Sequence, residues 1–296
     1  MALTGKHRME RRDLLKSVVI GAAVLGLRPS LLLAGAEDIN ARLAALERQY
    51  GGRLGVAIRD TGNGRRAGYR ADERFLLCST FKMLLAAAVL SRVEKGKEQL
   101  DRRLVFGKDA LLEYAPVTSQ HVGPPGMTIA ELCQAAVSLS DNTAANVLLA
   151  HLGGPSVVTD FARQLGDTIT RLDHVEPELN RPSPDHVSDT TTPNAMLANL
   201  DKLLLGNALS DASCKQLTTW MLGTTTGKKL VRAGLPADWR VGEKTGSGNM
   251  QNNDVAIIWP PARKPLLVSV YYENTAKDSD GRSVVLAAVG RIVATM

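Results

Sequence analysis

Ser79-Thr80-Phe81-Lys82 is the stretch from which the fold of this chain can be predicted. Three further short strings follow it in order: Ser140-Asp141-Asn142, Glu176-Pro177-Glu178-Leu179-Asn180 and Lys244-Thr245-Gly246. Together the four strings supply a serine nucleophile, a lysine and a glutamate as possible bases, a second hydroxyl for proton transfer and a cation. Each is common enough to arise by chance, so it is their combination that predicts a function.

Ser79 and Lys82 lie three residues apart at the start of a predicted helix, which places both side chains on one face. A serine hydroxyl is a poor nucleophile until a neighbouring base removes its proton, and a lysine kept neutral by burial can do this. The unsatisfied N–H groups at a helix start also favour a developing oxyanion. Considered alone, the string is explained equally well by a capping serine and a solvated lysine.

The second and third strings have ordinary structural explanations as well as chemical ones. Ser140-Asp141-Asn142 precedes a predicted helix, so Ser140 or Asp141 could serve only as its N-cap. Glu176 could be a solvated loop residue, or a buried carboxylate that activates a water molecule held by the amide of Asn180. The presence of all four strings in one chain favours the chemical interpretation.

The fourth string continues into Ser247 and has the character of a strand. Alternation would place Lys244 and Gly246 on one face of that strand and Thr245 and Ser247 on the other. A single lysine often lies at an exposed strand edge, where it discourages aggregation. The string is therefore either an ordinary edge or a binding strand that offers a cation and hydroxyl groups.

The composition, 44% hydrophobic and 22% charged over 296 residues, is that of a globular protein with one large core or two joined cores. The net charge of +6 could indicate a nucleic acid or membrane partner. However, residues 1–36 contain six basic and two acidic side chains, so they account for +4 of that total. The rest of the chain is nearly neutral, and we predict no nucleic acid partner.

Residues 1–36 have the features of an export signal of the twin-arginine type. Arg11-Arg12-Asp13-Leu14-Leu15-Lys16 precedes an apolar stretch from Val18 to Leu27, and small residues follow at Ala34-Gly35-Ala36. Arg28-Pro29 interrupts the apolar run, which stays shorter than the roughly 20 residues that span a bilayer. We predict cleavage near Ala36, a periplasmic location and no stable membrane insertion afterwards; an uncleaved anchor is the alternative.

Apolar periodicity divides the remainder into strand-rich ends and a helix-rich middle. Helical spacing covers Ala36–Tyr50, Phe81–Val93, Thr128–Leu139, Thr143–Leu152, Ser156–Leu165, Thr192–Leu205, Asp211–Leu222 and Ser283–Thr295. Strand character covers Arg53–Asp60, which begins a hairpin, and then Arg240–Ser247, Asp254–Pro260 and Leu266–Tyr272.

This order predicts a discontinuous architecture. Residues 37–70 and 222–296 would form a sheet-and-helix domain, and residues 71–221 an all-helical domain that carries the Glu176 loop at 171–189. A boundary between two domains offers concave surface to a ligand without hollowing out a core.

The four strings, in this order and at this spacing, resemble the signature of the class A serine β-lactamases, in the superfamily that also contains penicillin-binding proteins. The resemblance extends over essentially all of the chain after the export signal. It implies an α/β (α+β) fold with a five-stranded antiparallel sheet flanked by helices, an all-helical domain and the active site between them. It also implies hydrolysis of penicillins and cephalosporins, and thus resistance to them, with no cofactor and no metal.

The resemblance implies a role for each matching residue. Ser79 would form an acyl-enzyme, Ser140 would pass a proton to the leaving nitrogen, and Glu176 would activate the water that deacylates the serine. Whether Lys82 or Glu176 removes the serine proton is left open. The N–H groups of Ser79 and Ser247 would form the oxyanion hole. Substrate-binding or water-positioning roles are implied for the other matches: Tyr114, Asn142, Asn180, Lys244, Thr245 and Ser247.

Two departures from the family pattern bear on specificity. His174 stands where many members have an arginine, and its partner would be Asp189. A neutral imidazole bond is weaker than a bidentate arginine–aspartate pair, so we expect a more mobile loop that admits bulky oxyimino-cephalosporins. Asn253 stands where some members have an arginine that completes the carboxylate site, and neither Arg232 nor Arg282 matches a compensating position cleanly.

An odd number of cysteines leaves at least one thiol unpaired in an exported protein. The disulfides known in the family would join Cys133 to position 86 and Cys78 to position 248, which are Ala86 and Gly248 here. We therefore predict that Cys78, Cys133 and Cys214 are free thiols that pack as small buried groups.

Three other classes of protein are less consistent with the sequence. A penicillin-binding protein would leave Glu176 without a task, and a metallo-hydrolase would need clustered ligands that the five histidines do not supply. A sensor that binds antibiotic stoichiometrically would usually carry transmembrane segments, and no apolar stretch of that kind follows residue 36. We expect a small-molecule β-lactam as the partner and a monomeric protein.

Overall fold

The computed structural model describes the backbone of residues 29–296 and the side chains of residues 38–296. Residues 1–28, which include the predicted twin-arginine motif, lie outside these described residues. Helix α1 begins at Pro29 and not at Ala36 as predicted. The fixed φ of proline suits the first turn of a helix.

The described residues contain eight α-helices and nine strands, in an order that runs from mixed elements through a helical middle to three long strands and a last helix. The helices are α1 (Pro29–Tyr50), α2 (Phe81–Glu94), α3 (Ile129–Ser138), α4 (Asn142–Leu152), α5 (Ser156–Gln164), α6 (Pro193–Leu204), α7 (Asp211–Leu222) and α8 (Ser279–Val293). The strands are β1 (Arg53–Asp60), β2 (Arg66–Tyr69), β3 (Phe75–Leu76), β4 (Arg103–Leu104), β5 (Met127–Thr128), β6 (Thr190–Thr191), β7 (Arg240–Ser247), β8 (Gln251–Trp259) and β9 (Leu266–Glu273).

The main sheet has five antiparallel strands in the order β2-β1-β9-β8-β7, which confirms the predicted sheet. At its centre β1 and β9 come from opposite ends of the chain and pair from Arg53↔Glu273 to Asp60↔Leu266. The hairpin of β8 and β7 then extends the sheet outward and leaves β7 at the edge. This edge borders the helical part of the molecule.

Two apolar cores lie on the two faces of the sheet. On one face, Ile39 and Leu43 of α1 and Val289 of α8 pack against sheet residues. On the other face, Ile257 and Tyr271 belong to a core shared with the helical part, whose central helix α2 is buried over most of its length. Because α2 is buried, the Ser79–Lys82 string at its start has a fixed position relative to the sheet. The strings on the segments that pack against α2 are fixed in the same way.

We propose that residues 37–70 with 222–296 form one domain and residues 71–221 the other, since the chain ends supply the sheet and the middle supplies the helices. None of the helices within residues 29–296 combines the length and the apolar composition that a membrane crossing requires.

All three cysteines are free thiols in the structure. Cys78 and Cys133 are fully buried, and burial raises the pKa of both thiols. Cys214 is only half-buried, which differs from the burial predicted for it; its Sγ donates to the carbonyl of Leu204 at 3.2 Å. The helix surface at Cys214 is simply not covered completely.

Candidate active site

Ser79 lies in a single 3₁₀ turn, Cys78–Thr80, that leads directly into α2. Thr80 closes this turn by donating its hydroxyl to the carbonyl of Leu77 at 2.7 Å. Cys78 has a φ of +42°, a value that few residues other than glycine adopt. Ser79 thus precedes the helix and does not lie within its first turn, and its Oγ faces the cleft beside β7.

Lys82 is fully buried, and three acceptors surround its Nζ. They are Glu176 Oε1 at 3.0 Å, the carbonyl of Ser140 at 2.9 Å and Asn142 Oδ1 at 2.5 Å. Burial lowers the pKa of Lys82, and the carboxylate of Glu176 opposes that shift. Because an ammonium has three N–H donors and a neutral amine only two, these contacts favour the protonated form.

Glu176 is 2% exposed, and its two carboxylate oxygens have different partners. Oε1 accepts from Ser79 Oγ at 3.0 Å and lies beside Lys82, while Oε2 accepts from Asn180 Nδ2 at 2.7 Å. Burial raises the pKa of Glu176, but the charge of Lys82 and these hydrogen bonds outweigh it and hold the pKa below its ordinary value. The carboxylate is therefore ionised at neutral pH and within reach of the serine hydroxyl.

The loop that carries Glu176 is attached to α4 by a reciprocal pair of hydrogen bonds. Asn146 Nδ2 donates to the carbonyl of Glu176 at 2.8 Å, and the N–H of Glu176 donates to Asn146 Oδ1 at 3.0 Å. This half-buried amide satisfies both backbone groups of Glu176, and it thereby fixes the position of the carboxylate relative to Ser79.

Asp141 organises the turn before α4. Its carboxylate caps the helix by accepting from the N–H of Ala144 at 2.8 Å, and it also accepts from the N–H groups of Val117 and Thr118 at 3.0 and 2.9 Å. Of the two N-cap candidates in this string, Asp141 is therefore the one that caps α4. They hold Ser140, which has a φ of +60°, with its carbonyl toward one buried lysine and its hydroxyl toward another.

That second lysine is Lys244 on β7, which is fully buried. Its Nζ donates to Ser140 Oγ at 3.0 Å and to the carbonyl of Thr245 at 2.7 Å. Burial, together with the nearby charge of Lys82, lowers the pKa of Lys244 well below its ordinary value, although Glu176 opposes the shift. A chain of polar contacts therefore runs from Glu176 through Lys82 and Ser140 to Lys244.

Gly246 allows β7 to lie against the turn that carries the nucleophile. A Cβ at this position would lie 3.0 Å from the carbonyl oxygen of Leu77 and 3.1 Å from Cys78 Cβ. These distances are shorter than ordinary van der Waals contacts, so a side chain here would push the strand and the turn apart. The close approach places the backbone of Ser247 beside that of Ser79.

The predicted residues surround a cleft of about 640 Å³ between β7 and the helical part. Eight of them line it: Ser79, Tyr114, Ser140, Asn142, Glu176, Asn180, Thr245 and Ser247. Lys82 and Lys244 lie behind this lining and act on it through their contacts. Thr245, Gly246 and Ser247 all line the cleft, which differs from the predicted alternation because the edge of β7, and not only one face, borders it.

Asn253 does not lie at the carboxylate site, where the family resemblance had placed it. Its amide donates to the carbonyl of Leu76 at 2.9 Å and is buried on the face of the sheet that meets the helical part, whereas its neighbour Asn252 lines the cleft opposite Ser247. Adjacent strand residues point to opposite faces, so a shift of one residue in the assumed register explains the error.

Other cleft residues were missed by sequence reasoning because they belong to no string: Thr225, Thr226, Lys228, Lys229, Leu230, Ser279, Asp280 and Ser283. Strand alternation from Ser247 could have indicated Asn252. The segment after α7 and the start of α8 contain no local sequence pattern that predicts a position beside the cleft.

The two arginines considered for the carboxylate site have structural partners. Arg232 Nε donates to buried Glu243 at 2.9 Å, and Arg282 Nε donates to Asn252 Oδ1 at 3.1 Å. Neither lines the cleft. Their guanidinium groups hold β7, β8 and α8 together.

His174 pairs with Asp189, as the sequence indicated. Its Nδ1 lies 2.6 Å from Asp189 Oδ2, while Asp189 Oδ1 accepts from the N–H groups of Asp173 and His174 at 2.8 and 3.0 Å. The hydrogen bond and the charge of Asp189 raise the pKa of His174, whose side chain is 53% exposed. This pair closes the loop of residues 171–189 at its two ends.

The described residues contain no group of three or more histidine, cysteine or acidic side chains placed to hold a metal ion. What they do contain is a buried serine hydroxyl bound to a carboxylate, with two lysines and a second serine behind it. This arrangement is equipped for acyl transfer through a serine nucleophile. The fold and the site thus define a serine enzyme whose cleft lies between a sheet edge and a helical body.

Comparison with known proteins gives the family. Residues 37–295 match the model of the beta-lactamase enzyme family. The chain is 47% identical over 289 residues to β-lactamase CTX-M-8 of Citrobacter amalonaticus, covering 97% of this chain and 98% of that protein. It is 46% identical to β-lactamase OXY-1 of Klebsiella oxytoca, over 94% of this chain and 96% of that one.

Solved structures agree with this assignment. An ancestral class A β-lactamase is 58% identical with a TM-score of 0.84, over 87% of this chain and 99% of its own. The putative class A β-lactamase PenP from Rhodopseudomonas palustris is 50% identical with the same TM-score and the same coverage. The chain therefore belongs to the class A β-lactamases.

Proposed function

We propose that this protein hydrolyses the β-lactam amide of penicillins and cephalosporins through an acyl-enzyme at Ser79 and so confers resistance to them. Membership of the family supports the reaction. The observation that supports the mechanism most directly is the position of Glu176, whose carboxylate bonds to Ser79 Oγ through one oxygen and to Asn180 through the other.

In the first step Glu176 takes the proton of Ser79 as the hydroxyl oxygen attacks the β-lactam carbonyl carbon. Two observations favour Glu176 over Lys82 as this base: the direct 3.0 Å contact to Ser79 Oγ, and the three acceptors that keep Lys82 charged. The N–H groups of Ser79 and Ser247 stabilise the oxyanion. Removing one such donor typically costs about 3 kcal/mol of transition-state stabilisation.

In the second step the carbon–nitrogen bond breaks and the nitrogen takes a proton from Ser140. Lys244, 3.0 Å from Ser140 Oγ, supports this transfer because its N–H stabilises the hydroxyl oxygen as the proton leaves. The proton that Glu176 took from Ser79 then returns to Ser140 through Lys82, which contacts Glu176 and the backbone of Ser140, so Ser140 is a hydroxyl and Glu176 a carboxylate once more. The product of this step is an ester between the opened ring and Ser79.

In the third step a water molecule held by Glu176 and Asn180 loses a proton to Glu176 and attacks the ester carbonyl carbon. The carbon–oxygen bond to Ser79 then breaks, and the serine oxygen takes the proton from Glu176, which contacts it directly. The low pKa of Glu176 keeps it ionised and ready to accept the proton at neutral pH.

The remaining cleft residues orient the substrate. The Oδ1 of Asn142 is occupied by Lys82, which leaves its NH₂ group to donate to the side-chain carbonyl of a substrate. Thr245 and Ser247 offer hydroxyl groups for the substrate carboxylate in front of Lys244, and Tyr114, which is 48% exposed, forms an apolar wall.

The proposed function is tested by steady-state hydrolysis of benzylpenicillin and a chromogenic cephalosporin with the purified protein. Many turnovers per molecule are expected. One stoichiometric burst followed by a persistent adduct would instead identify a penicillin-binding protein or a sensor, and the role given to Glu176 would then be wrong.

We further propose that the protein is exported by the twin-arginine route, cleaved near Ala36 and active as a periplasmic monomer. The family match begins at residue 37, and Ile39 is the first buried residue of the described side chains, so cleavage there leaves the core intact. N-terminal sequencing of protein from the periplasmic fraction is expected to begin close to residue 37. Replacement of both Arg11 and Arg12 by lysine is expected to abolish export, because the twin-arginine route requires this pair.

Replacement of His174 by arginine is expected to slow hydrolysis of bulky oxyimino-cephalosporins about threefold, the size of a partly exposed ion pair, and to affect benzylpenicillin less. The reason is that a bidentate pair with Asp189 would hold the loop of residues 171–189 more firmly. Steady-state rates on both substrate classes measure the effect, and His186→Arg, on the same exposed loop, is the control.

The same pair gives a pH dependence. Because Asp189 raises the pKa of His174, the charged pair is fully present below the ordinary histidine pKa of about 6.5 and is lost as the pH rises through the raised value. Amide hydrogen exchange in residues 171–189 should therefore increase across that range, beyond its intrinsic pH dependence, and the increase should be absent in His174→Arg. Equal cephalosporin rates in the two proteins at every pH would contradict the idea.

A further inference from the structure

The turn that carries Ser79 is attached to the rest of the molecule at Leu77, two residues earlier. The carbonyl of Leu77 accepts from Thr80 Oγ1 at 2.7 Å and from Asn253 Nδ2 at 3.3 Å. Cys78, between Leu77 and Ser79, has the φ of +42° noted above, a strained conformation that persists only where neighbouring contacts impose it. The contacts at the Leu77 carbonyl therefore determine how Ser79 is presented to the cleft.

Tyr271 reaches this turn from the middle strand of the sheet, β9. It is fully buried on the face that meets the helical part, and its hydroxyl oxygen lies 3.1 Å from Thr80 Oγ1. The Thr80 hydroxyl has one proton, which it gives to the carbonyl of Leu77. In the contact with Tyr271 the threonine oxygen therefore accepts and the phenol donates. A directed chain of hydrogen bonds runs from the sheet to the turn of the nucleophile.

The phenol of Tyr271 is kept in the form that can donate. Burial raises the pKa of Tyr271 above its ordinary value, although the hydrogen bond with Thr80 opposes the shift, so the group stays protonated at neutral pH. The proposed mechanism gives this hydroxyl no chemical role. Thr80 also borders β7, because a Cβ on Gly246 would lie 3.2 Å from Thr80 Cγ2. The chain thus ends where the turn and the edge strand meet.

We propose that Tyr271 is a positioning residue for acyl transfer at Ser79. Its hydroxyl fixes the rotation of the Thr80 side chain, and Thr80 in turn fixes the Leu77 carbonyl at the entry to the strained turn. Loss of this contact lets the turn relax, which moves Ser79 Oγ relative to Glu176 and tilts the Ser79 N–H away from the oxyanion. The inference rests on the proposed function for the substrate, but any acyl transfer at this serine would depend on the same contact.

Tyr271→Phe removes the hydroxyl group and keeps the ring. Single-turnover acylation by a chromogenic cephalosporin is expected to slow about threefold to tenfold, the range for one hydrogen bond that acts through a small displacement of the nucleophile. Affinity for phenylboronic acid, which forms a tetrahedral adduct with a serine oxygen, should fall by a similar factor. Equilibrium binding of benzylpenicillin in a Ser79→Ala background should not change, because no group that contacts the intact substrate is altered.

Tyr272→Phe is the matched control. Tyr272 is also fully buried on β9, but on the opposite face, and its hydroxyl donates to the carbonyl of Gly51 at 2.7 Å. Each variant loses one hydrogen bond of a buried tyrosine, so a merely structural role predicts the same result for both. We expect both variants to unfold at a lower temperature and Tyr271→Phe alone to lose acylation rate and boronate affinity.

Two variants of Thr80 test the chain of hydrogen bonds itself. Thr80→Val keeps the shape of the side chain without the hydroxyl, and it should lose at least as much acylation rate as Tyr271→Phe. The double variant should lose no more than Thr80→Val alone, since both changes break one chain. Thr80→Ser should retain the wild-type rate. This pair decides the question if Tyr271→Phe does not fold.

Four results would overturn the inference. They are wild-type acylation and boronate affinity in folded Tyr271→Phe, equal losses in Tyr272→Phe, losses that multiply in the double variant, and failure of the wild-type protein to bind phenylboronic acid. Absence of β-lactam turnover by the wild-type protein would instead contradict the proposed function, and the comparison of boronate affinities would still test how Ser79 is positioned.

Discussion

Replacement of Glu176 by glutamine is expected to produce a protein that opens a β-lactam and then fails to release it. Deacylation should slow by at least about 10³-fold, within the range for loss of a general base. Acylation should also slow, because Ser79 loses the carboxylate that can take its proton, but less, since Lys82 remains beside the same position. Intact mass spectrometry after mixing with benzylpenicillin should show one covalent adduct per chain, and the adduct should persist for hours.

Glu178→Gln is the matched control, because Glu178 is an exposed carboxylate on the same loop, two residues away. It should turn over substrate at the wild-type rate. If Glu176→Gln also turns over at close to that rate, another group activates the water. If it is neither acylated nor active although it folds, Glu176 is required for acylation itself, and Lys82 cannot replace it.

Replacement of Ser79 by alanine is expected to have the larger effect on turnover, a loss on the order of 10⁶ in kcat, as found when a serine hydrolase loses its nucleophile. No covalent adduct should form, because no other hydroxyl occupies the position 3.0 Å from Glu176 Oε1. Substrate binding should survive, since the groups that contact the substrate are unchanged. Residual turnover is measured with the chromogenic cephalosporin at high enzyme concentration.

The exposed Ser119 provides the control, and Ser119→Ala should retain full activity. Thermal unfolding of both variants shows whether they fold. A stable adduct on the Ser79→Ala protein would move the nucleophile elsewhere; Ser140, which also lines the cleft, is the residue that peptide mapping would examine first.

Much of the fold could be predicted because its long elements have strong local patterns. All eight predicted helices and the long strands occur, with shifts of a few residues at their ends. Helix α8, for example, begins at Ser279 because the side chain of Asp278 caps it by accepting from the N–H of Gly281, a signal that its apolar spacing does not contain. The two-residue pairing of β3 with β6 joins Phe75 to Thr191 across more than a hundred residues, and no local pattern indicates such a contact.

The candidate site also contains residues that the sequence predicts and residues that it does not. Residues in the four strings could be found because their chemistry requires particular side chains at fixed spacing. Asn252 was missed because a strand register cannot be assigned to within one residue from a short polar stretch. Lys228 was missed because its position depends on how Thr224 and Thr226 attach to β7, which is a property of the folded chain alone.

One consequence follows from the position of β7 at the edge of the sheet. Its inner side pairs with β8, so the backbone groups of its last residues, Thr245–Ser247, are left facing the cleft. A substrate with a peptide-like amide can align along this edge as an additional short strand, the mode known as β-augmentation. Recognition of this kind uses main-chain groups that every residue possesses, so side-chain substitutions within the strand cannot easily abolish it. Inherited changes in antibiotic preference are therefore expected in the segments that surround the cleft, and not in the strand itself.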